Sequence, residues 1–173
     1  MRREASVQGN LLMSTLDSND PHQEATVLRN ILAAMAGYAA LVIVVMAGIG
    51  SAWAILGGTG AFAGEGPEPS ATWLAFNIGF GFVAALVGGL VARKIGGSLT
   101  AVHTLIALIL VLGVVTAYAA ESQYAKRERI DKPVAEMSFM EAGQHAKQPA
   151  WYNWIIPLVG VAGAWVGGQE RQK

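Results

Sequence analysis

The stretch Ala71 to Ala92, ATWLAFNIGFGFVAALVGGLVA, decides the fold. It carries no charge over 22 residues, and about 20 apolar residues cross a bilayer as one helix. Trp73 stands near one end, and Arg93 and Lys94 close the other. Asn77, Gly81, Ala85 and Gly89 follow one another at i, i+4, with Ala84 and Gly88 beside them. Such a helix has one smooth side and one polar notch. In lipid, helices associate by packing and not by the hydrophobic effect, so a smooth side lets a second backbone come close.

Working outward, three more apolar blocks flank it: Ile31 to Leu56, Leu99 to Ala120 and Trp151 to Gly168. The expected fold is all-α, an integral membrane bundle of four transmembrane helices at about 31–56, 71–92, 99–120 and 151–168, with a short interfacial helix between the third and fourth. Residues 1–28 read as a polar tail, 29–173 as the membrane domain and 121–150 as its extramembrane segment. The chain is 53% hydrophobic and 14% charged, against about 25% charged in an average soluble domain. That charge lies in short stretches between the blocks, the pattern of a polytopic membrane protein. A formal net charge of zero gives nucleic-acid binding no electrostatic support. Without cysteine there is no disulfide, thiolate metal site or cysteine nucleophile.

Local signals set the boundaries. Leu11, Leu12, Met13 and Leu16 could form one interfacial turn, and Asp20-Pro21 suits a helix start. The first block runs 26 residues without charge. It is too long for a signal core, so Ala61-Phe62-Ala63 is not read as a cleavage site. Ala33, Gly37 and Ala40, then Gly50 and Ala54, offer it small packing surfaces. Gly57 to Ser70 reads as a loop, because its glycines and prolines stop a helix on both sides. Gly96 and Gly97 supply a tight turn and Ser98 a cap for the third helix, making helices two and three antiparallel neighbours. The third block is rich in Leu, Ile and Val, so much of it should face lipid. The third helix can run on to about Arg129, before Asp131-Lys132-Pro133 breaks it. Ser138 and Glu141 have capping-box spacing and open a short helix to about Lys147, on the membrane surface or the bundle end. Pro157 should kink the last helix near its start. Gly160, Ala164 and Gly168 form a small-residue row there, and Gly163 with Gly167 a strict GxxxG, whose obvious partner is helix two. Trp73, Trp151, Tyr152 and Trp154 are expected as interface anchors at headgroup level.

Arg2, Arg3, Arg29, Arg93, Lys94, Arg171 and Lys173 fall on one side of such a bundle. The first loop on the other side has no basic residue and the long loop has five. This balance places both termini in the cytoplasm.

The entry Arg29-Asn30-Ile31-Leu32-Ala33 with Ala36-Gly37, the ending Gly88-Gly89-Leu90-Val91-Ala92-Arg93, and the Pro-Ala-Trp entry to a glycine-rich last helix resemble a group of uncharacterised bacterial four-helix membrane proteins. The resemblance covers about residues 29–168 and implies a bacterial cytoplasmic (inner) membrane. That group implies no activity, and the segment from Glu121 to Pro149 is longer than expected for it.

Few residues suggest chemistry. His103, about one turn inside the third helix, could ligate haem or a chlorophyll magnesium or relay protons. The plainer reading is an interfacial histidine bonded to water or a carbonyl. Glu141 and His145, one turn apart, make half a metal site at most; a capping Glu beside a surface His explains them as well. The acids from Glu121 to Glu141 alternate with Lys and Arg, as on a solvated ion-paired surface, and no nucleophile accompanies them. Asn77 could hydrogen-bond helix four or one across the bundle, or meet a solute. No Asp, Glu, Lys or Arg lies within a crossing, which counts against coupled transport.

The expected protein is thus no enzyme and has no intrinsic cofactor or metal. It is a structural or accessory subunit of a larger membrane assembly, of respiratory or photosynthetic type, touching lipid, other transmembrane subunits and a haem or chlorophyll-type pigment held by a partner. The alternative is a homo-oligomeric small-solute channel or transporter built around Asn77.

Overall fold

The computed structural model describes residues 21–124 and 132–169. The expectations for Leu11 to Leu16, for the third helix beyond Tyr124 and for the tail after Gln169 lie outside them. The elements are α1 (Pro21–Ala61), α2 (Ala71–Gly96), α3 (Leu99–Tyr124), a 3-10 turn (Val134–Glu136), α4 (Phe139–His145) and α5 (Ala150–Gly168). The described residues contain no strand, only one isolated bridge between Phe62 and Pro69. Helices α1, α2 and α3 are long and apolar enough to cross a membrane, consistent with a multi-pass membrane protein. The fourth apolar block is the shorter α5, diluted by Trp151, Tyr152, Asn153 and Trp154 in its first turns.

Helix α2 lies at the centre. It runs antiparallel to α1, with Gly37 against Gly88 and Gly48 against Phe80, and it packs along α5. Helix α3 leans on α5, where Gly113 receives the Pro157 ring and Gly168 meets Val102. The core is made of small residues: Ala33, Ala84, Ala85, Ala92, Ala101, Leu105 and Ala164 are fully covered. Val111, Val114, Val115 and Tyr118 of α3 point outward, as its composition suggested.

Several boundaries differ from expectation. Helical structure persists past Leu56 to Ala61, across a break at Gly57 with φ 60° and ψ −170°. Only glycine adopts that conformation readily, so the chain turns there and resumes. The buried face of α1 carries Gly48 and Ala52 and leaves Gly50 and Ala54 outside. Gly48 lies eleven residues after Gly37, three turns of a helix, so it returns to the same face and Gly50 does not. Pro157 does not end α5, which is one helix from Ala150 to Gly168, and the Pro157 ring is seated against Gly113. At the α2–α3 turn, Gly97 takes φ 67° and its amide bonds the Arg93 carbonyl. Ser98 is tied elsewhere than to its helix: its hydroxyl donates to Asn30 Oδ1 of α1 at 2.8 Å. Asn30 is 6% exposed, the buried polar residue of the described core.

The two loops at the other end fold onto each other into a cap. Ala61, Phe62, Val134, Met137 and Ala142 form its apolar centre, with Trp53 and Trp73 against it. Gly58 lets the Val134 carbonyl come so close that a Cβ would collide with it. Glu65 Oε2 accepts the Val134 amide at 3.1 Å, and the Lys147 amide donates to the Pro67 carbonyl at 2.7 Å. Ser70 caps α2 by accepting the Trp73 amide, while its own hydroxyl donates to the Gly60 carbonyl. Ser138 and Glu141 form the expected capping box, and α4 lies on the bundle end.

Candidate functional site

The α2–α5 seam is a contact of backbone on backbone. A Cβ on Gly89 would strike the Ala164 carbonyl, and one on Gly167 the Leu86 carbonyl. On Gly163 it would lie 2.5 Å from the Phe82 carbonyl and 2.8 Å from the Ala85 Cβ. Not every member of the two rows takes part. Gly81 has no neighbour within 4 Å of where a Cβ would sit, and Gly160 faces Ile109 of α3 at 3.0 Å. Asn77 and Gly81 lie toward the cap, beyond this seam, and line a cavity.

That cavity has a volume of about 580 Å³. It runs from Ile109 and Gly160 at mid-bundle to Gln123 and Gln148 beside the cap. Its apolar walls include Leu41, Val45, Leu112, Ile156 and Pro157, while Tyr38, Asn77, Thr116, Gln123, Gln148, Tyr152 and Asn153 bring amides and hydroxyls. Among the described residues, no Asp, Glu, Lys, Arg or His lines it. Asn77 Nδ2 donates to the Trp73 carbonyl of its own helix at 2.8 Å, where a bond across the bundle was expected. The i−4 carbonyl is within reach of a short amide side chain. Asn153 Nδ2 is buried with no acceptor. Its residue sits four before Pro157, where the missing amide already disturbs the ladder.

His103 lies exposed on the outer surface of α3, its ring stacked on Trp165 of α5 with centroids 5.6 Å apart and planes 16° from parallel. The pair forms a flat platform at the end of the bundle near Arg93 and Lys94. Trp151 and Trp154 are exposed at the opposite end, but Tyr152, expected as an anchor beside them, is 6% exposed. Its position on α5 turns it inward toward the cavity. Trp73 is half-buried, set edge-on to Trp53 at 6.1 Å.

In the cap, Glu141 accepts the Ser138 amide at 2.7 Å and pairs with Lys132 at 3.2 Å. The Ser138 amide first, then its hydroxyl and the Lys132 ammonium, lower the Glu141 carboxyl from an ordinary 4.5 to about 2. His145 stands edge-on to Phe62 at 5.6 Å. Glu141 is thus committed to capping and ion pairing, and the described residues contain no group of three side chains able to hold a metal ion. Asn30, Glu65 and Asn153 were missed from the sequence. Asn30 had a signal, an amide at the very start of an apolar block, but its partner Ser98 is far along the chain.

Comparison with protein-family models, curated proteins and solved structures finds no match to this chain. What stands is the class: an all-α protein with three helices long and apolar enough to cross a membrane.

Proposed function

We propose that this chain is a four-crossing membrane protein, α5 being the fourth crossing, that serves as a non-catalytic accessory subunit of a larger membrane assembly, with both termini cytoplasmic. The observation that carries this reading is the bundle interior. Its helices meet through glycine and alanine backbones, and the part-buried Asn77 bonds a carbonyl of its own helix. An interior of this kind holds helices in place and moves no proton or ion. The exposed His103–Trp165 platform offers a neighbouring subunit, or a pigment that it carries, a flat surface for stacking. Helix α5 spans roughly 28 Å at 1.5 Å per residue, close to the hydrocarbon thickness.

The test is gentle extraction from the native membrane, followed by sizing, mass spectrometry and an absorption spectrum of the same peak. Stoichiometric partners are expected. A colourless protein running alone as a small homo-oligomer refutes the reading. The cavity that reaches Asn77 favours a second reading, a small-solute channel or transporter. That reading requires flux into liposomes that Asn77→Leu abolishes.

A further inference from the structure

We infer that the cavity between α1, α2, α3 and α5 binds an uncharged amphiphile, a hydrocarbon chain bearing a carbonyl-containing head. Three observations converge on this chemistry. The volume, about 580 Å³, falls within the range of sites that enclose a small organic ligand, roughly 300–1,000 Å³. The walls near Ile109 are aliphatic apart from Tyr38, and no Asp, Glu, Lys, Arg or His among the described residues lines the space. An anionic or cationic head would therefore be desolvated there without a counter-charge, which is strongly unfavourable. Finally, Asn153 borders the cavity with a buried Nδ2 that has no acceptor. Buried donors are rarely left without a partner, and a ligand carbonyl would supply one. The hydrocarbon lies toward Ile109 and Gly160, and the head toward the cap.

Acylglycerols and prenylated quinones share this chemistry, and the experiment separates them. The full chain, purified in detergent, is titrated with a pyrene-labelled monoacylglycerol and, separately, with a decyl benzoquinone. At least one is expected to bind at one per chain. Binding of the first alone assigns the site to glycerolipids and of the second alone to quinones; both are the stated chemistry. Gly81→Leu puts a side chain into the cavity where no atom lies within 4 Å, so it fills the site without disturbing the seam. It should weaken binding at least ten-fold while leaving the thermal unfolding temperature unchanged or raised. Asn153→Leu, which removes the donor but keeps the volume, should weaken binding several-fold. The proposal is overturned if neither probe binds, if Gly81→Leu binds as tightly as the natural chain, or if a pyrene-labelled fatty acid, ionised at pH 8, binds as tightly as the neutral probes.

Discussion

Adding one methyl group at Gly89 is the sharpest test of the seam. In Gly89→Ala, the new Cβ collides with the Ala164 carbonyl oxygen and lies 2.9 Å from its carbon and 3.0 Å from its Cα. Carbon atoms rest about 3.5–4.0 Å apart. All three obstacles are backbone, so no rotamer change relieves them, and α2 and α5 must part by roughly 1 Å. Overpacking of this kind costs about 1–3 kcal/mol. Against it stands the gain from replacing a helical glycine by alanine, roughly 0.5–1 kcal/mol. Gly89→Ala should therefore lose about 1–2 kcal/mol net. Gly81→Ala, on the same helix with nothing within 4 Å, should keep the gain alone. The two variants lie two row positions apart and have opposite expected signs, about 2 kcal/mol apart. Reversible denaturation in mixed micelles, followed through the five tryptophans, measures that gap. Equal stabilities for the two variants would refute the argument that the backbones touch at Gly89.

Three further outcomes follow from other parts of the molecule. Ser98→Ala should destabilise the bundle by about 1 kcal/mol in the same denaturation assay, because it strips the buried Asn30 amide of its bond; Asn30→Leu with Ser98→Ala should recover part of that loss. Gly57→Ala should cost about 1–3 kcal/mol through backbone strain alone, since its Cβ would meet no atom, and limited proteolysis should then cut near residue 57. For Glu141 the carboxyl is lowered from 4.5 to about 2 in the folded chain, so its contribution is complete above about 4.5 and is lost as pH falls toward 2. Fluorescence of Trp53, whose ring meets Phe139 of α4 at 5.7 Å, should hold from pH 7 to 4.5 and change below that, while Glu141→Gln should shift it already at pH 7.

The helices were legible because each is a local matter. An uncharged run of 22 residues, a Gly-Gly turn and a Ser-x-x-Glu box state their own conformation, and α2, the Gly97 turn and α4 lie where those signals put them. Which small residue meets which neighbour was less legible. Gly50 and Gly48 look alike in the chain, and only the helical phase relative to Phe80 selects the second. Asn77 illustrates the same limit: an amide within a crossing suggests a distant partner, yet its own helix presents a carbonyl at the right distance. In the cap, α4 was legible from its Ser138–Glu141 box, but the joining of the two loops was not. Its contacts, Glu65 with Val134 and Pro67 with Lys147, join segments that read separately as a loop and a solvated charged stretch.

That join constrains the order in which the molecule can be made. Residues of the first loop wait exposed while α2, α3 and the long segment leave the ribosome, because their partners at Val134, Ala142 and Lys147 come later. Helices α1 and α2 can pair as a hairpin as soon as both are inserted, Gly37 against Gly88. Helix α5 follows them in the chain, and its Gly163 and Gly167 let it close against the α2 backbone at Phe82 and Leu86. The segment that holds Lys147 and α5 thus acts as a latch: it closes the seam with α2 and, through the Lys147 amide on the Pro67 carbonyl, fastens the cap.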